Sequence, residues 1–157
     1  MAAGVIEVID NTIARLEALT ALTRHGNTLR FSHVAQVGDG EDLTDVRSNS
    51  RKFILIPTGS RSLVGFLGQE GEQTSVIQSF DLVVAYPVSR RTLDLFKVAA
   101  EDVDLIGRQL MNTGGFNTAT TGLERRQVEG YALDLDEAGG TALLTIGVEC
   151  RYTPDYS

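Results

Sequence analysis

The sequence predicts an α+β fold: two helices packed on one face of a mostly antiparallel, mixed sheet of four to five strands, in the order α-β-β-β-α-β-β. Three observations carry this. Apolar residues recur every three to four positions in two separate segments, near the N-terminus and just past the middle of the chain. The closing segment, Thr141 to Tyr152, alternates strictly between apolar and polar residues, the period of a half-buried strand. The strand-like runs fall as three before and two after the second helix, an order that argues an α+β domain with a mostly antiparallel sheet. The 157 residues suit one domain spanning 1–157, because domains cluster at about 100–150 residues.

The first helix is expected from Val5 to Leu22. Ile6, Ile9, Ile13 and Leu16 form its stripe, Glu7 and Asp10 suit its N-terminal dipole, and Gly26 is placed to stop it. A strand follows over Thr28–Val37. Lys52–Pro57 (KFILIP) reads as a short strand buried on both faces. Between Thr58 and Ser75 the chain is rich in Gly and Ser yet holds Leu63, Val64, Phe66 and Leu67 beside Arg61. An apolar knot in a glycine-rich stretch suggests an extended arm or hairpin tip over 58–75 that meets a partner. Val76–Val88 is the strongest central strand, with Val76, Gln78, Phe80, Leu82, Val84 and Tyr86 on one face. The second helix, Arg90–Met111, presents Leu93, Phe96, Ala100, Val103, Ile106 and Leu110 as its stripe, with Asp104 and Arg108 paired on its outer side. A hairpin of about Arg126–Leu135 and Thr141–Tyr152 closes the chain, turning at Asp136–Gly140.

The charge balance narrows the partners. Twenty-one acidic residues against 14 Lys and Arg leave a formal charge of −7. A phosphate-gripping protein needs the opposite balance or a basic stripe; the pairs Arg51-Lys52, Arg90-Arg91 and Arg125-Arg126 read as solvated element ends. The single cysteine, Cys150, has no partner for an internal disulfide and lies on the apolar face of the last strand, so it reads as a core thiol. No apolar run approaches the ~20 residues that span a bilayer, and the acidic N-terminus lacks signal-peptide character. Neither secretion nor membrane insertion is expected.

Reactive constellations are missing. His25 and His33 fall on different elements, and Asp39-Gly40-Glu41-Asp42 has Thr44 where a calcium loop needs glycine. There is no G-x-S-x-G elbow, and Asn112–Phe116 lacks the lysine and following helix of a phosphate loop. Glu101, Asp102 and Asp104 are expected on a solvated helix face. The sequence therefore points away from an enzyme, with no cofactor, no metal and no catalytic residue assigned.

The succession VIEVIDNTIARLEAL, FDLVVAYPV, LDLFKVAAEDVDLIGRQL and YALDLDEAGGTALLTIGVECRY resembles the tail-terminator, or tail-completion, proteins of long-tailed bacteriophages and of related gene-transfer-agent particles. The similarity runs from about Val5 to Tyr152 and is one of architecture and wording. It implies a structural virion protein that forms a homohexameric ring on the head-proximal end of the tail tube. Such a ring ends tube polymerisation and joins the tail to a head completion or connector protein, while genome DNA passes through without sequence-specific binding. The location implied is the virion neck, with assembly in the host cytoplasm. The alternatives are another neck component such as a head–tail joining adaptor, a tail tube subunit, or a small-molecule-binding domain. On this reading Arg61, Leu63, Val64, Phe66 and Leu67 form the candidate partner-interface arm.

Overall fold

A computed structural model of the chain describes residues 5–22, 28–33, 50–63, 75–87, 92–111, 123–136 and 141–152. Its elements are α1 (Val5–Glu17), β1 (Thr20–Leu22), β2 (Thr28–His33), β3 (Ser50–Leu63), β4 (Ser75–Pro87), α2 (Thr92–Met111), β5 (Leu123–Asp136) and β6 (Thr141–Tyr152). The strands form one sheet in the order β1-β2-β3-β4-β6-β5. Its four long strands, β3-β4-β6-β5, are antiparallel throughout, β2 joins β3 in parallel, and β1 pairs antiparallel with β2. The predicted α+β class is thus observed, with one short strand beyond the predicted four to five.

That additional strand corrects the first helix. The chain leaves α1 at Glu17, and Thr20–Leu22 pairs with Thr28–Arg30. The apolar period runs on past Glu17, but in these three residues a ladder satisfies the backbone in place of another helical turn. The strand predicted over Thr28–Val37 is seen as Thr28–His33, and 34–37 lie outside the described residues.

Both helices pack into one core against the same sheet face. Val8 and Leu16 from α1, and Leu95, Ala99, Ile106 and Leu110 from α2, join Phe80, Leu82 and Val84 of β4 and Leu144, Ile146 and Val148 of β6. Burial of this many large side chains, each contributing about 1.5–3 kcal/mol, is the main stabilising term. The strand faces match the predicted alternation on β4 and β6. The helix stripes do not match in full. Ile6 is 69 % exposed, and α1 instead buries Val8, Thr12 and Leu16. On α2 the buried line is Leu95, Ala99, Asp102, Ile106 and Leu110, with Phe96 exposed. Both helices are turned so that a polar residue, Thr12 or Asp102, faces inward. The reason is that each finds a hydrogen-bond partner there.

β3 also departs from expectation. It is not a short doubly buried strand. Phe53 is fully buried but Ile56 is 44 % exposed, and pairing with β4 continues to Leu63, opposite Ser75. The second sheet face carries a smaller cluster of Val83 and Ala85 with Ile54 and Leu143.

Candidate functional site

The predicted arm begins as the outer half of β3. After a bulge between Pro57 and Gly59, Gly59 to Leu63 pair with Ser79 to Ser75 of β4. Proline lacks the amide that a ladder needs, which is why it sits at a bulge on this strand. Gln78, buried on β4, stabilises the irregularity. Its Nε2 donates to Gly59 O at 3.0 Å and to Ser79 O at 3.1 Å. Residues Ile56 to Arg61 are exposed.

Of the five predicted interface residues, Arg61 and Leu63 lie on β3, opposite Ile77 and Ser75. Val64, Phe66 and Leu67 lie outside the described residues, as does the stretch 64–74 as a whole. Arg61 reaches across β4 to the second sheet face, with Nη2 4.0 Å from Glu149 Oε1. At 67 % side-chain exposure this ion pair adds little stability.

Beside it lies Glu129, in the bulge between Val128 and Gly130 on β5. Local loss of solvation, then the facing Glu149 carboxylate and a hydrogen bond with it, push the Glu129 carboxyl above its ordinary value; Arg61 works against them. An acid raised in the folded state binds protons more tightly there than in the unfolded chain. Stability is therefore lost as pH rises through the raised value. Glu129→Gln is expected to raise Tm at about pH 8, with the gain shrinking as pH falls and vanishing well below the ordinary glutamate value, at about pH 3, where the carboxyl is neutral in both folded and unfolded chains. Thermal melts across this range check it, and a pH-independent difference would show that the two carboxyls do not share a proton.

Two polar clusters inside the core were not foreseen. In the first, Arg126 is 3 % exposed although it was expected to be solvated. Its Nη2 donates to Asn11 Oδ1 at 2.5 Å and to Thr12 Oγ1 at 2.9 Å, and Thr12 Oγ1 donates onward to Val8 O at 2.7 Å. Arg126 pairs in register with Cys150. Burial lowers the guanidinium and raises the Cys150 thiol, while their mutual interaction opposes both shifts. The thiol is fully buried and held neutral, so it is a core group and no nucleophile. The second cluster corrects the solvated reading of Asp102. This residue is 3 % exposed, and Tyr86 Oη donates to its Oδ2 at 2.6 Å. A third link joins the helices: Arg15 Nη2 donates to Gln109 O at 2.8 Å, and Gln109 Nε2 to Arg15 O at 3.0 Å.

The sequence did carry a signal for Arg126, since it shares strand parity with Val128. Thr12 likewise sits four residues from both Val8 and Leu16. What these clusters do is fasten α1 and α2 to the sheet. Among the described residues no group of three or more His, Cys, Asp or Glu is placed to hold a metal ion, and no helix is long and apolar enough to cross a membrane. Among the described residues, β3 is exposed over Ile56–Arg61 and β5 is the last strand of the sheet. Comparison of the chain with protein-family models and with curated protein sequences finds no match in either.

Proposed function

We propose that this chain is a structural ring subunit of the tail-terminator kind, closing the head-proximal end of a phage tail tube. The observation that carries the reading is the long β3–β4 hairpin. Its β3 side is exposed from Ile56 to Arg61, beside the core that the two helices form with the sheet. A ladder of this length with an exposed side contributes little to the domain's own core and offers backbone and side chains to a neighbour. The succession of helices and strands around it agrees with the resemblance read from the sequence. In this role the ring contacts the tube protein on one side and a head completion or connector protein on the other. An acidic surface lets duplex DNA slide through without sticking.

The test is to add the purified protein to polymerising tube subunits from the same particle and view the product by electron microscopy. Shortened tubes with a ring at one end, and a passage wide enough for duplex DNA, are expected. Tubes of unchanged length with bare ends would refute the proposal.

A further inference from the structure

The two faces of the sheet are unequally covered. Both helices pack on the face that carries Phe80, Leu82 and Leu144. The opposite face carries Ile54 of β3, Val83 and Ala85 of β4, and Leu143 of β6. Among the described residues no helix or strand lies over that face. Ala85 is nevertheless 0 % exposed and Val83 8 %, whereas Ile56, one step further along β3 on the same face, is 44 % exposed. Ile54 and Leu143 pack beside Val83 and Ala85, but flanking side chains stand alongside a methyl group and do not roof it. A sheet face closed over one patch and open at the next residue calls for a cover of limited extent.

The strand connections select the segment that supplies it. β2 and β3 are adjacent and parallel, so the chain between them, 34–49, returns to the start of β3 by crossing one face of the sheet. β4 and β5 are parallel too, since each is antiparallel to β6. Their connection carries α2, on the helix-bearing face. In the order β1-β2-β3-β4-β6-β5 both connections step sideways in the same sense, toward β5. The strands they join point opposite ways, because β3 is antiparallel to β4. Reversing strand direction while keeping the sideways step and the face reverses the hand of a crossover. The right-handed twist of strands makes such crossovers right-handed in about 98 % of cases. With α2 on one face, the connection between β2 and β3 therefore takes the other. We infer that residues 34–49 pack on the second sheet face and cover the patch of Ile54, Val83, Ala85 and Leu143. The composition of the segment suits this. Leu43 and Val46 are apolar within a stretch that also holds Asp39, Glu41, Asp42 and Asp45. Lys52, two residues before Ile54 and so on the same face, is half-buried and sets a cation beside the patch for those carboxylates. The face without helices is thus closed by the chain itself, and 34–49 belongs to the folded unit.

Two double-substitution chains test the assignment. One carries Leu43→Cys with Thr145→Cys, which faces the same way as its cross-strand neighbour Val83. The other carries Leu43→Cys with Ala14→Cys, on the exposed side of α1 and so beyond the opposite face. The native Cys150 is fully buried and stays in place. Each chain is treated in dilute solution with a short bis-maleimide, and crosslinks within single chains are measured by peptide mass spectrometry. Circular dichroism checks that both are folded. The Thr145 pair is expected to crosslink about tenfold more than the Ala14 pair, because the segment holds a higher effective concentration on its own face. Equal yields, a preference for Ala14, or no crosslink to Thr145 would overturn the assignment. A further chain with 36–47 replaced by Gly and Ser residues, at unchanged length, keeps the connection and removes its apolar side chains. It is expected to melt at a lower temperature and to bind more of the apolar-surface dye anilinonaphthalene sulfonate. Unchanged melting and unchanged dye binding would equally overturn it. If this chain does not fold, the crosslinking comparison alone decides.

Discussion

Arg126→Ala is expected to lower the free energy of unfolding by about 3 kcal/mol, a large share of the ~5–15 kcal/mol that holds a domain together. The guanidinium lies under α1, donating to Asn11 and Thr12 from the neighbouring strand β5. Truncation to alanine empties the volume of a long side chain and strips two acceptors of their donor. The same position separates packing from charge. Arg126→Met keeps most of the stem and removes a cation that burial disfavours, so its cost is expected to be below about 1 kcal/mol, or even a gain. Urea titrations of the two variants decide this, with hydrogen exchange on α1 amides showing where the loss falls. An alanine variant within about 0.5 kcal/mol of wild type would mean that the network does not hold α1.

Tyr86→Phe is expected to cost about 2 kcal/mol, more than a surface hydroxyl would, because its partner Asp102 is almost fully buried. Removing the phenol takes a 2.6 Å donor from a carboxyl that water cannot reach. Asp102→Ala is expected to be at least as damaging, since it removes the acceptor of the Tyr86 hydroxyl and opens a cavity. The two losses should not add. A double-mutant cycle is expected to give a coupling of about 1–3 kcal/mol, the range for leaving a buried hydrogen-bonding group unsatisfied. A coupling near zero would show that Tyr86 and Asp102 act independently.

Both clusters mark where sequence reading reached its limit. The alternation along β4 and β6 was legible because a strand's side chains take only two directions, so one apolar face identifies the other. Helix faces are less determinate. A stripe of isoleucines on α1 and a stripe through Phe96 on α2 are as periodic as the stripes actually buried. The rotation that wins brings Thr12 to Arg126 and Asp102 to Tyr86, partners 114 and 16 residues distant in sequence. No local pattern contains those pairings. The extension of β3 past Pro57 was hidden in the same way. Thr58 to Leu63 has the composition of a loop, and it becomes strand because Ser75–Ser79 supplies a ladder beside it.

Local periodicity and composition alone thus determined the α+β class, the places of both helices, the inward faces of β4 and β6, and the core position of Cys150. Those features follow from the 3.6 and 2.0 periods of the backbone and from the transfer of apolar side chains out of water. Assembly of the elements decided the rest: the short β1 in place of a longer helix, the rotation of α1 and α2, and the strand identity of Gly59 to Leu63. It also decided that Arg126 and Asp102 go inside while Ile6 and Phe96 stay out. Each of these turns on contacts made outside the element's own periodic pattern, and a buried polar group is stable only once its hydrogen-bond partner has been brought to it.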